Sequence, residues 1–283
     1  MKNISLKSPS KLNLTLEILK KFHDNFHEIR SLVLNMDLCD EIRLEKSEDF
    51  EIKTDSDLAQ NENLIYKGYQ ILLAKFGDLP TKVHLKKNIP LDAGLGGGSG
   101  NAANFLFGMN ELWDLNLDFS DFKSIGNNLG MDVNMFFKPG INLLKGKGNE
   151  TENIDALPHG AILIFHDGLR IPKKTFRAYN IIKVSEFSSG ENTNQLINCI
   201  VGRSFGLGSI KCFNVFDNYI NDLYPEASDF KAFLNKQIDN EIYLSGSGSS
   251  LFCLFDDVQK AKHVYENIDV KHYKKFLAFP WRK

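Results

Sequence analysis

The sequence predicts an α+β fold arranged as two domains. Strand-like alternation and helix-like spacing occur in both halves without the regular β-α-β succession of a doubly wound sheet, and 283 residues suffice for two domains of ordinary size. The division is expected near residue 155, because Glu150 to Gly160 mixes polar residues with a proline and a glycine just ahead of a fresh apolar run, Ala161-Ile-Leu-Ile-Phe165.

In the first half, Leu12, Leu14, Leu16 and Ile18 alternate with polar or small residues. So do Ile42 with Leu44, Phe50 with Ile52, and Val83 with Leu85, which is the period of half-buried strands. Asn61 to Gly77 carries Leu64, Ile65, Tyr69, Leu72, Leu73 and Phe76 at helical spacing, with Gly77 as the stop. A second helix gathers Ala102, Ala103, Leu106, Met109, Leu112 and Trp113 on one face, and a third runs from about Ser120 to Leu129, ending at Gly130. The second half is expected to hold strands near Ala161 to Phe165, Ile242 to Leu244, Leu251 to Phe255 and Phe276 to Phe279. Its helices are expected near Glu226 to Lys236 and Val258 to Asn267.

With 42% hydrophobic and 25% charged residues the composition is that of a soluble protein. A net charge of −2 offers no broad attraction to nucleic acid or anionic membrane. Cys39, Cys199, Cys212 and Cys253 form no C-x-x-C pair and read as reduced core residues of a cytoplasmic protein rather than zinc ligands. The opening residues alternate instead of forming the apolar centre of a signal peptide, and no run is long enough to span a bilayer. The expected partner is a small molecule, with no nucleic acid and no membrane.

The densest signal is Pro90-Leu-Asp-Ala-Gly-Leu-Gly-Gly-Gly-Ser-Gly-Asn-Ala-Ala103, five glycines within seven positions running straight into the second helix. A flexible hinge and an anion cradle both fit a glycine cluster. With Ser99 as the expected N-cap, the cradle is favoured: backbone N–H groups at a helix start converge on one spot, and phosphate oxygens must lie against bare main chain. The G-K-[ST] ending of a P-loop, the G-x-G-x-x-G fingerprint and the protein-kinase signatures are all missing.

This stretch resembles the ATP-binding motif of the galactokinase, homoserine kinase, mevalonate kinase and phosphomevalonate kinase superfamily. The triple glycine followed by Ser-x-Asn-Ala-Ala resembles its 4-diphosphocytidyl-2-C-methyl-D-erythritol kinase branch in particular. Ser8-Pro-Ser-Lys-Leu-Asn-Leu14, Phe26-His-Glu-Ile29, Leu129-Gly-Met-Asp-Val133 and Leu244-Ser-Gly-Ser-Gly-Ser249 resemble further motifs of that branch, in the family's order. The resemblance implies an ATP-dependent kinase acting on the 2-hydroxyl of 4-diphosphocytidyl-2-C-methyl-D-erythritol, in the methylerythritol phosphate route to isoprenoid precursors. ATP with Mg2+ is the implied co-substrate, without assigned metal ligands, and the implied assembly is a monomer or homodimer. Residues 1–155 would form an ATP-binding domain like ribosomal protein S5 domain 2, and residues 156–283 a ferredoxin-like α+β substrate-side domain. ATP and substrate would lie in the cleft between them. A sister kinase acting on mevalonate, homoserine or a sugar, and a non-catalytic ATP-binding module, are the alternatives.

Residue by residue, the resemblance assigns ATP to Pro90, Leu91, Asp92, Ala93, Gly94, Leu95, Gly96, Gly97, Gly98, Ser99, Gly100 and Asn101, with Lys87 and Asn63 on the adenine side. Phosphoryl transfer to an alcohol needs a carboxylate near the attacking hydroxyl and a cation for the developing charge. Asp132 and Lys11 take those places in the family pattern, and Asn13 projects to the same strand face as Lys11. The cytosine would stack between Phe26 and Phe176, with Tyr179 in reserve for Phe176, while His27 reads its edge. Gly246 and Ser247 of the third motif complete the substrate side. Gly100 departs from the pattern, where a second Ser or Thr is usual, and so do Phe26 for Tyr, Asn25 for Gly and Asn134 for Pro.

Overall fold

The computed structural model describes residues 3–168, 171, 173–270 and 272–282. They fall into two compact units, each assembled from separate stretches. The first takes residues up to Ser10, Cys39–Ile89 and Gly96–Pro139; the second takes Lys11–Leu38, Pro90–Leu95 and the residues from Gly140 onward. Residues on both sides of position 155 thus contribute to the second unit.

Along the chain, β1 (Asn3–Asn13), β2 (Thr15–Lys21) and β3 (His27–Lys46) open the fold, followed by β4 (Glu51–Thr54), α1 (Leu64–Phe76) and β5 (Thr81–Lys86). Then come α2 (Gly97–Trp113), α3 (Phe119–Leu129), β6 (Ile141–Lys145), β7 (Glu150–Ile154), β8 (Leu157–His159) and β9 (Ala161–His166). After these run α4 (Lys174–Ile181), α5 (Glu191–Ile200), β10 (Ser204–Gly206), β11 (Phe213–Asn214), α6 (Ile220–Leu223) and α7 (Pro225–Gln237). The chain closes with β12 (Tyr243–Leu244), β13 (Leu251–Phe255), α8 (Val258–Asn267) and β14 (Lys274–Ala278).

In the first unit, β5 pairs antiparallel with the end of β3 (Ile42 opposite Leu85) and parallel with β4. Ile65, Tyr69 and Leu72 recur at helical spacing on the buried face of α1, and Gly68 lets Phe105 of α2 come close. Phe50 stacks on Tyr69 at 3.6 Å between ring centroids. Asp118 caps α3 through the amides of Ser120 and Asp121, with Asp121 closing a capping box.

In the second unit, β2 pairs antiparallel with the start of β3, and β6 joins β3 through Ser31 opposite Leu144. A separate antiparallel sheet runs β12-β13-β9-β14, its central strands apolar on both faces. The carboxylate of Glu17, fully buried on β2, accepts from the Thr193 amide at 2.8 Å, the Thr193 hydroxyl at 2.6 Å and the Asn192 side chain at 3.0 Å. An acidic side chain from a distant strand thereby satisfies the first turn of α5, which has no side-chain cap of its own.

All four cysteines are free, but only Cys212 and Cys253 are core residues. Cys39 is half-buried and Cys199 is exposed on α5, which corrects the expectation that all four are buried. No helix among the described residues is long and apolar enough to cross a membrane.

Candidate active site

In the second unit, Lys11 and Asn13 are each only 5% exposed at the end of β1, and the Lys11 ammonium donates to Asn13 Oδ1 at 2.6 Å. Asn13 Nδ2 donates in turn to Ser31 Oγ at 2.8 Å, and Ser31 donates to the Thr15 carbonyl at 2.5 Å. Gly246 lies against this pair: a Cβ there would sit 3.3 Å from Lys11 Nζ and from Asn13 Oδ1, and 3.2 Å from the Gly94 carbonyl oxygen. Gly94 meets the same motif from the other side, where a Cβ would lie 2.7 Å from the Ser245 carbonyl oxygen. Both glycines have positive φ, so close approach and backbone conformation each require the bare residue. The Lys11 amide donates to the Leu95 carbonyl at 2.8 Å. Lys11, Asn13, Gly94, Gly246 and the Ser245 backbone are therefore brought together.

The third motif is held from behind. Asn214 Nδ2 donates to the carbonyls of Leu244 and Gly246, each at 2.8 Å, and the Tyr224 hydroxyl donates to the Ser247 carbonyl at 2.6 Å. Ala93 and Leu95 are buried, leaving chiefly their backbone available to a ligand. Lys174, in the first turn of α4, was not singled out in the sequence. Its ammonium donates to the carbonyls of Asp92 and Gly248, and burial pulls its pKa down to about 8, opposed by Asp92. The signal available in the sequence was only a lysine flanked by polar neighbours, and nothing there betrays that it is buried.

Also in the second unit, His27 is 6% exposed at the start of β3. Tyr179 lies 5.4 Å from it and Phe187 6.1 Å, ring centroid to ring centroid. Burial, and then the nearby Lys21, hold the His27 pKa below the usual imidazole value, so the ring is neutral at pH 7 and presents one donor and one acceptor. Tyr179 packs edge-on against Phe216 at 5.0 Å. Phe26 and Phe176, by contrast, are 48% and 66% exposed, and the Lys147 ammonium stands 4.7 Å from the Phe26 ring centroid. Ser247 is half-buried, with Thr175 Oγ1 3.2 Å from its hydroxyl.

In the first unit, α2 begins at Gly97 after Gly96 in the left-handed conformation, so Ser99 lies inside the first turn and is not the N-cap that was expected. The left-handed residue that turns the chain into the helix is Gly96, a conformation glycine adopts without strain, and it stands upstream of Ser99. Gly98 is exposed, and a Cβ there would meet only Leu64, at 3.9 Å. Gly100 faces the other way: a Cβ would lie 2.8 Å from the Pro9 carbonyl oxygen and 3.0 Å from Ser8 Oγ, which explains why this chain has no hydroxyl-bearing residue at that place.

Lys87 and Asn101 meet at a residue the sequence reading passed over. The fully buried carboxylate of Asp40 is paired with the Lys87 ammonium, accepts from Asn101 Nδ2 at 3.0 Å, and takes the amides of Asn88 and Ile89 at 2.8 Å each. An Asp within the apolar strand of Leu38, Ile42 and Leu44 was the available clue. Asn101 Oδ1 is buried without a hydrogen-bond partner among the described residues. Asn63 caps α1 by accepting from the Ile65 amide at 3.0 Å. Asp132 is half-buried in the turn after α3 and occupies no helix N-cap, since Val133 takes that position for the short 3-10 helix Asn134–Phe137.

Residues 63–140 match the GHMP kinases N terminal domain. Over 93% of this chain and 89% of its own length, a 4-diphosphocytidyl-2-C-methyl-D-erythritol kinase from Prochlorococcus marinus is 36% identical. One from Dehalococcoides mccartyi is 30% identical over 97% of each chain. Among solved structures, a 4-(cytidine 5'-diphospho)-2C-methyl-D-erythritol kinase superposes with a TM-score of 0.81 at 24% identity, covering 99% of this chain and 100% of the other. A homoserine kinase from Cytophaga hutchinsonii gives 0.69 at 17% identity, covering 99% and 96%.

Proposed function

The chain belongs to the 4-diphosphocytidyl-2-C-methyl-D-erythritol kinase family of the GHMP kinases, and we infer that it transfers the γ-phosphoryl group of ATP to the 2-hydroxyl of 4-diphosphocytidyl-2-C-methyl-D-erythritol. The observation that carries this reading to particular residues is the buried Lys11–Asn13 pair set against Gly94 and Gly246. A fixed cation beside two bare glycine backbones suits a transferring phosphoryl group, because phosphoryl transfer is mostly positioning and charge stabilisation.

In this mechanism the amides of the first turn of α2, unpaired within the helix and at the positive end of its dipole, receive phosphate oxygens against Gly97 and Gly98. Lys11 offsets the charge that grows during transfer, and Asn13 holds its ammonium in place while facing the substrate. Asp132 accepts the proton of the attacking hydroxyl. The neutral His27 reads the cytosine edge, and the exposed rings of Phe26 and Phe176 supply stacking faces. Tyr179 is already packed on Phe216, which supports Phe176 as the stacking residue.

Mg2+ is the ion that would accompany ATP. Among the described residues no cluster of three or more His, Cys, Asp or Glu stands ready for a metal. Such an ion would be held mainly by water and nucleotide phosphates with one or two protein oxygens, and the Ser99 hydroxyl in the first turn of α2 is the group that would reach it. When bound, the ion neutralises phosphate charge.

The decisive experiment measures ADP release with the cytidine substrate, its uridine counterpart, mevalonate and homoserine. Turnover confined to the cytidine compound is expected; equal kcat/KM for cytidine and uridine forms would overturn the base assignment, and preference for mevalonate or homoserine would overturn the substrate.

A further inference from the structure

Lys174 is a costly residue to bury. It is nine-tenths withdrawn from solvent, and its ammonium is spent on two main-chain carbonyls, those of Asp92 and Gly248, which lie 82 and 74 residues away in the chain. Those carbonyls belong to the two glycine-rich segments that touch each other at Gly94 and Ser245. The third party is α4, because Lys174 opens that helix and Phe176 follows two residues later.

We propose that Lys174 is a positioning residue that fastens the ATP loop and the third glycine motif to the first turn of the helix bearing the cytosine-side aromatics, so that one side chain sets the affinity for both substrates. The proposal rests on the phosphate reading of the loop given above. Glycine-rich segments have few side chains with which to fix their own shape, and an apolar residue at position 174 would remove the donor that the Asp92 and Gly248 carbonyls share. Charge-assisted donation is the strong form of such a bond. The charged and titratable groups that face the ammonium are Asp92 in the loop, Lys11 on β1, and Asp167 and His166 at the end of β9. Their mixed signs leave burial as the dominant influence, so Lys174 sheds its proton at about pH 8. Loss of that proton weakens the two bonds while leaving the covalent stem in place.

The test is Lys174→Met, which keeps the unbranched stem and removes every donor. KM for ATP and KM for the cytidine substrate are both expected to rise about tenfold, with kcat changed less. Amide exchange should accelerate across Asp92–Leu95 and Ser245–Ser249 and stay unchanged in the sheet of β9, β13 and β14. A residue that merely fills space would lower the melting temperature and leave both KM values and the exchange of the two loops alone, and that result overturns the proposal. Exchange is read without nucleotide, so loosened loops with unaltered ATP affinity would indict the phosphate reading, whereas unaltered exchange indicts Lys174. Should the Met variant fail to fold, the wild-type enzyme decides: both KM values should climb between pH 7 and pH 9.5, and flat profiles overturn the proposal.

Discussion

The Lys11 ammonium and the Asn13 amide oxygen stand 2.6 Å apart, both almost wholly withdrawn from solvent. Asn13 is fixed in turn by Ser31, so the lysine is aimed by a relay anchored on β3. A hydrogen bond to a charged group contributes about 1.5–3 kcal/mol, and each 1.4 kcal/mol is about tenfold in rate. Asn13→Leu should therefore lower kcat/KM by about 10- to 100-fold in steady-state assays, while Ser31→Ala, one step further out, should cost less. Equal losses in the two variants would show that the relay serves stability alone.

Asp132→Asn keeps the size of the side chain and removes the proton acceptor. Turnover should fall by about 100-fold or more, the range for loss of a general base, with ATP affinity by calorimetry unchanged. Near-normal turnover would return Asp132 to the role of a turn residue.

Gly98→Val is the cleanest probe of the phosphate loop, because among the described residues an added Cβ would meet only Leu64, at 3.9 Å. Among the described residues nothing resists it, so the fold should survive and ATP should bind at least about tenfold more weakly, an arithmetic of roughly 1.4 kcal/mol. Gly97→Val is less informative, since its Cβ would press on Ile89 at 3.0 Å and on Lys87 Nζ at 3.3 Å. ATP affinity in Gly98→Val equal to wild type would make the loop a hinge.

For His27, burial lowers the folded-state pKa below the unfolded value of about 6.5. The unfolded chain then binds the extra proton first. The stability linked to this group is fully present above pH 6.5 and is lost as pH falls through the depressed folded value. From pH 7 downward, KM for the cytidine substrate should stay level to about 6.5 and rise only below it, and His27→Ala should raise it about tenfold at pH 7 with KM for ATP unmoved. Phe176→Ala should do the same, since stacking on a base is worth about 1–3 kcal/mol. A His27→Ala variant that disturbs both substrates alike would mark His27 as a core residue.

The parts of the fold that repeat with a short period were legible in the sequence. The residues Leu251 to Phe255 and Val258 to Asn267 were bounded correctly because apolar runs and helical spacing are local properties. The glycine loop, the third motif and the Lys11–Asn13 strand were legible as motifs, and Gly94, Gly246, Lys11 and Asn13 do meet. What escaped depends on distant partners. Lys174 looks like any surface lysine until two loops wrap it, and Asp40 gains meaning only through Lys87 and Asn101. Helices α4 and α5 went unanticipated because their starts lack a local cap: a lysine precedes α4, and α5 borrows the carboxylate of Glu17 from β2.

The uneven burial of the four cysteines makes the chain its own unfolding clock. Burial raises the thiol pKa of Cys212 and Cys253, whereas Cys199 faces solvent and Cys39 is half-covered. Since the thiolate is the reactive form, a thiol reagent added to the folded enzyme should modify Cys199 first and Cys39 more slowly. Modification of Cys253, in the central strand of the second sheet, then times the opening of that sheet. Mass spectrometry of labelled peptides would thereby report, from native residues alone, how long the sheet around Cys253 stays closed.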